Sequence, residues 1–116
     1  MRTKILGLTV LALLVAAVAA PLRAEDCSSQ RVTVNNVLWG TVSKDAPNCS
    51  DGSNYIVGSA VVVNAVPKPG YKFCKWTWTP AGLGCDGAVT ASCGFAKSGV
   101  AEIGKANFVL SSATCP

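Results

Sequence analysis

Six cysteines constrain this 116-residue chain more than any other feature: Cys27, Cys49, Cys74, Cys85, Cys93 and Cys115 all follow an apolar leader, and none lies within it. An even set of cysteines behind a secretory signal reads as a disulfide framework. The leader has the order such a signal needs. Arg2 and Lys4 form a basic start, residues 5–20 are apolar or small except for Thr9, and small residues recur up to Ala20 and Ala24. Pro21 disfavours cleavage after Ala20, so a cut after Ala24 is expected, with 1–24 as signal peptide and 25–116 as one domain. The apolar run is short for a membrane span, which needs ~20 residues, so no stable span is expected once the leader is removed. Cys27 lacks the small-residue motif that precedes a lipidated cysteine. The expected destination is secreted, periplasmic or cell-surface.

A domain of this length buries a marginal core, and each disulfide typically adds ~2–4 kcal/mol by restricting the unfolded chain. Spacing leaves the pairing open. Cys85–Cys93 is the pair favoured most, because a short glycine-containing loop lies between them. A Cys27–Cys115 pair is a weaker expectation, drawn from the usual proximity of chain termini. Metal ligation is the rival use of six cysteines, but there is no histidine and no Cys-x-x-Cys pair, so no metal and no cofactor is expected.

Charge and punctuation narrow the class. Beyond the leader, Arg31, Lys44, Lys68, Lys72, Lys75, Lys97 and Lys105 nearly balance Glu25, Asp26, Asp45, Asp51, Asp86 and Glu102. A near-neutral domain has no electrostatic footprint for nucleic acid. No stretch keeps a helical apolar period, whereas short alternating runs recur. Strands are expected over 31–37, 39–43, 59–66, 71–79, 89–93 and 106–110, with Val61, Val63 and Ala65 on one face. Pro67-Lys68-Pro69-Gly70 reads as a turn. The expected fold is all-β, or β-rich and grasp-like: one small disulfide-stapled domain.

Several of these segments together resemble the divergent internalin B-type repeat family of bacterial surface proteins. The pieces are Val32-Thr33-Val34 with Gly40-Thr41-Val42; Cys49 with Tyr55-Ile56-Val57-Gly58; the central Val61-Val62-Val63-Asn64-Ala65-Val66-Pro67 with Pro69-Gly70-Tyr71-Lys72-Phe73 and Trp76; and Ala106-Asn107-Phe108. Gly104 stands where the family carries an aliphatic residue, and 97–102 lacks its acidic turn. The resemblance implies a small β-rich, grasp-like module used for spacing or adhesion, here in a single copy.

Catalysis finds no support in the residues. Without histidine there is no imidazole base, and the carboxylates are scattered across turns and termini. The glycines of 81–84 lead to Cys85 and not into a helix, so they form no phosphate loop. A non-enzymatic interaction or adhesion module recognising a protein or a surface glycan is expected. The alternatives are a small secreted effector, toxin or inhibitor, presenting a rigid 80–87 loop, and a structural envelope component. For binding, Trp78 is the first candidate, as an exposed aromatic beside Lys72 and Lys75, with Tyr55 as a further aromatic. Trp76 is expected in the core, and a bulge near Cys74-Lys75 should reconcile Phe73 and Trp76 on one face.

Overall fold

The computed structural model describes residues 25–116 and contains only strands: β1 (Cys27–Ser28), β2 (Gln30–Val34), β3 (Gly40–Lys44), β4 (Tyr55–Ile56), β5 (Ala60–Pro67), β6 (Tyr71–Thr79), β7 (Ser92–Ala96) and β8 (Glu102–Leu110). The leader expectation lies outside the described residues. The protein is all-β. Two three-stranded sheets, β2-β8-β6 and β3-β5-β7, enclose the core, and β1 pairs with β4 beside them.

Alternation explains which residues meet. β5 turns Val61, Val63 and Ala65 inward, as expected from its period of two. β6 turns Trp76 and Trp78 inward, and β8 adds Ala106 and Phe108. The β6–β8 register shifts between Phe73 and Lys75. That bulge places Phe73 against both Trp76 and Phe108, with ring centroids 5.5 and 6.0 Å away. Glycine makes room for this layer: a Cβ on Gly40 would collide with the Phe108 ring. Fully burying a large apolar side chain contributes about 1.5–3 kcal/mol, so this aromatic layer is a principal source of stability.

β2 lies parallel to β8, from Gln30↔Glu102 to Val34↔Ala106. Where β2 ends, Asn35 continues the ladder with its side chain, accepting from Phe108 N at 3.0 Å and donating to Phe108 O at 2.9 Å.

The disulfides are Cys27–Cys49, Cys74–Cys115 and Cys85–Cys93. The short-loop pair is present, and the expected Cys27–Cys115 pair is not. Its absence follows from the parallel pairing of β2 and β8, which sends the start of one and the end of the other to opposite ends of the sandwich. Cys27, opposite Ile56 in the β1–β4 ladder, meets Cys49 instead. The strand expected over 89–93 forms later, at Ser92–Ala96: Ala88 O is taken by Trp76 N of β6, and the bonding to β5 starts with Ala91 O, which accepts from Ala65 N.

Candidate functional site

The sandwich has two outer faces, and charge is divided unequally between them. On the sheet β3-β5-β7 the outward positions within the strands are Thr41, Ser43, Ala60, Val62, Asn64, Val66, Ser92, Gly94 and Ala96, none of them charged, and Asp45, just beyond β3, accepts from Val62 N at 2.8 Å. On β2-β8-β6, register puts Arg31 opposite Ile103 and Thr79, Thr33 opposite Lys105 and Thr77, Asn107 opposite Lys75, and Val109 opposite Lys72. All of these are exposed or half-buried while their sequence neighbours in β8 and in β6 from Cys74 to Trp78 point inward. Arg31, Lys72, Lys75 and Lys105 therefore share one face, and among the described residues no carboxylate side chain occupies an outward strand position on it. Asn107 steadies its centre, donating from Nδ2 to Lys75 O at 3.0 Å and to Thr77 Oγ1 at 3.2 Å.

This arrangement keeps Lys72 and Lys75 as candidate binding residues and adds Arg31 and Lys105. Sequence reading missed the last two because they belong to strands distant along the chain. The available signal was the alternation in β8, where Lys105 falls between Gly104 and Ala106.

The aromatic half of the expectation is corrected. Trp78 is 4% exposed and Tyr55 is 1% exposed, so neither offers a ring to a ligand. Trp78 does share a face with Trp76, but that face is the core side. Its indole lies between Gly84 and Gly104, where a Cβ at either position would clash with the ring, and it meets Phe95 edge-on at 5.1 Å. Gly104, a departure from the family pattern in sequence, is thus the seat of Trp78. Tyr55 is held by its hydroxyl, which donates to Asp45 O at 2.5 Å and accepts from Lys44 Nζ at 2.8 Å.

Trp78 leads to a second unforeseen feature. Its Nε1 donates to Glu102 Oε1 at 2.6 Å, and Glu102 Oε2 lies 2.9 Å from Lys97 Nζ, with both charged side chains fully buried. Ser98 donates to the same oxygen from Oγ at 2.5 Å and from its amide at 3.1 Å. Burial pushes the Glu102 pKa up. The Ser98 hydroxyl, the Lys97 ammonium, the Trp78 indole and the Ser98 amide together outweigh burial and hold it below its ordinary value. The group is a closed structural network with its polar atoms committed to one another.

Exposed aromatic surface lies elsewhere, at the far end of the sandwich. Trp39 and Tyr71 stack at 5.4 Å with planes 17° apart. Val37 and Leu38, each 71% exposed, lie beside them. Lys68 ties the end together through its amide on Trp39 O at 2.9 Å and its Nζ on Val37 O at 3.0 Å.

The 80–87 loop is tied back onto β6. Asp86 Oδ1 accepts from Trp78 N at 2.9 Å, Asp86 Oδ2 accepts from Gly82 N at 2.8 Å, and Gly87 N donates to Trp76 O at 2.9 Å. The loop caps the edge of β6.

Among known proteins, no curated relative and no solved structure matches the chain. One family model does match, covering residues 30–99, which is more than half of the chain and leaves all of β8 outside the matched segment. That family consists of non-catalytic repeats of bacterial surface proteins. The protein belongs to the divergent InlB B-repeat domain family.

Proposed function

We propose that this protein is a non-enzymatic binding module that docks the outer face of β2-β8-β6 on an anionic surface glycan. The observation that carries this reading is the cationic set Arg31, Lys72, Lys75 and Lys105 on a face without carboxylates. A single exposed cation interacts weakly and is screened by salt. Several on one rigid sheet act together on a polymer whose acidic groups repeat. Thr33, Thr77 and Asn107 intersperse hydroxyl and amide groups suited to sugar hydroxyls.

An acidic protein is the competing partner. Protein interfaces concentrate their energy in buried aromatic and arginine anchors. This face has no exposed aromatic ring, and Ile103 is its one strongly exposed aliphatic side chain. A hydrophilic polymer fits it better.

Retention on an immobilised uronate-bearing polysaccharide tests the proposal, with a neutral polysaccharide of similar length as control. The disulfide-intact protein should be held by the acidic polymer and released as salt rises from about 0.05 to about 0.5 M, as the screening length shortens. Changing Arg31, Lys72, Lys75 and Lys105 together to serine should abolish retention. Changing Lys44 and Lys68, which lie off this face, should preserve it. Equal retention on the neutral polymer, or persistence in the four-site variant, would overturn the reading. So would binding confined to acidic proteins.

A further inference from the structure

The edge strands of the two sheets are treated differently. The outer edge of β6 is covered by the 83–88 segment, through Trp76 N to Ala88 O and Gly87 N to Trp76 O, both at 2.9 Å. Among the described residues, β7 has no such cover. Its ladder to β5 uses alternate residues, as shown by Ala65 N donating to Ala91 O and Lys97 N donating to Ser59 O, both at 2.9 Å. Alternation therefore turns the N–H and C=O of Ser92, Gly94 and Ala96 away from β5. β5 is the only strand paired with β7 among the described residues.

Sheet proteins usually blunt an open edge with lysine, proline, a bulge or an inward-pointing charge. Within Ser92–Ala96, β7 carries none of these, and an inward-pointing charge stands only at its end. Ser92, Gly94 and Ala96 are small and exposed, and residues 87–96 contain no charged side chain. Lys97, next in the chain, is turned inward to Glu102. Exposed valines flank the strand: Val89 at 73% and Val100 at 49%.

We propose that the free edge of β7 pairs antiparallel with β7 of a second copy, about a two-fold axis at Gly94. In that register Ser92 faces Ala96 of the second copy and Gly94 faces its equivalent, so the edge is its own complement. Exchange of outward N–H and C=O groups would form about six ladder hydrogen bonds. The same register places Val89 of one copy opposite Gly99 of the other, next to Val100, so both exposed valines gain apolar cover. The alternatives are poorer. β2 and β3 carry Arg31 and Lys44, long cationic side chains of the kind that discourage pairing at a sheet edge. Pairing through β7 joins two copies of β3-β5-β7 into one continuous sheet and leaves both cationic faces free. It stands independently of the glycan reading.

Sedimentation of the disulfide-intact protein from about 1 to about 100 µM tests it, combined with amide exchange at low and high concentration. The mass should move from monomer to dimer across that range, with slowed exchange at Gly94 and Ala96. Gly94→Pro removes the outward N–H, a substitution that edge strands tolerate when that group faces solvent. The site has space, since a Cβ on Gly94 would meet only Val62 Cγ2 at 3.7 Å and Val61 O at 3.9 Å. The variant should raise the dimer dissociation constant at least ~10-fold, the equivalent of about 1.4 kcal/mol. Ala96→Lys serves as a second variant that keeps the backbone and adds a charge to the edge. A monomer throughout the range would overturn the proposal, as would a dimer that survives both substitutions or one whose protection falls at Val37 and Leu38 instead.

Discussion

The two ends of the sandwich are closed by opposite means. At one end, Glu102 and Lys97 are both fully buried, and Lys97 Nζ donates to Val100 O at 2.8 Å and to Ser98 O at 3.2 Å besides pairing with the carboxylate. At the other, Trp39 and Tyr71 stack while half exposed, with Val37 and Leu38 in solvent. Both arrangements finish the same core. The polar closure is coupled, because removing one member strands the others without water to replace it. The aromatic closure depends on area and ring contact, so a lost atom costs roughly its own share. One end is intolerant of change and the other is forgiving.

Lys97→Ala should therefore produce the largest effect. Breaking a buried pair from one side costs about 3–5 kcal/mol, since it leaves an uncompensated charge. Chemical denaturation with the disulfides intact should show the midpoint falling accordingly. Lys97→Met combined with Glu102→Gln should recover much of the loss, because the pair is then replaced and the Trp78 indole keeps an acceptor. A Lys97→Ala loss below about 1 kcal/mol would place this network in the range of exposed pairs and end the contrast between the two ends.

Acid sharpens the same comparison. The folded Glu102 pKa lies below its ordinary value of 4.5. Its contribution to stability is therefore present above the unfolded pKa and is lost as pH falls through the folded one. Denaturation midpoints measured from pH 6 downward should decline below about pH 4.5, and the decline should be shallower in Glu102→Gln. Equal acid sensitivity in the two proteins would assign the loss to other carboxylates.

The difference between the ends also marks how much was legible in sequence. Alternation alone oriented Val61, Val63 and Ala65, and the conflict between Phe73 and Trp76 pointed to the bulge found between Phe73 and Lys75. These are local matters of period. The Cys27–Cys115 expectation failed because it needed topology: nothing in the chain announces that β2 runs parallel to β8. Trp78 was misread for a related reason. The strand period of two puts it on the same face as Trp76, but whether that face is wet depends on Gly84 and Gly104, which come from other strands and loops. Lys97 and Glu102 entered the sequence reading only as members of the charge balance, since polarity in sequence does not distinguish a solvated pair from a buried one. Lys72 and Lys75 were visible as neighbours, whereas Arg31 and Lys105 join them only through strand pairing.

The forgiving end supplies the smallest predicted effect and its own control. In Tyr71→Leu, most of the apolar area stays and the ring-on-ring contact with Trp39 is lost. Aromatic pairs contribute about 0.5–1.5 kcal/mol beyond area burial, so the loss should be near 1 kcal/mol. Leu38→Ser removes a side chain already in water and should stay within about 0.5 kcal/mol of the parent. Both would be read from thermal and chemical denaturation of the oxidised protein, and neither should alter retention on the acidic polysaccharide, because neither residue lies on the cationic face. A Tyr71→Leu loss matching that of Lys97→Ala would mean that the Trp39–Tyr71 stack is coupled to the Phe73–Phe108 layer behind it. The two ends would then differ in chemistry alone and not in tolerance.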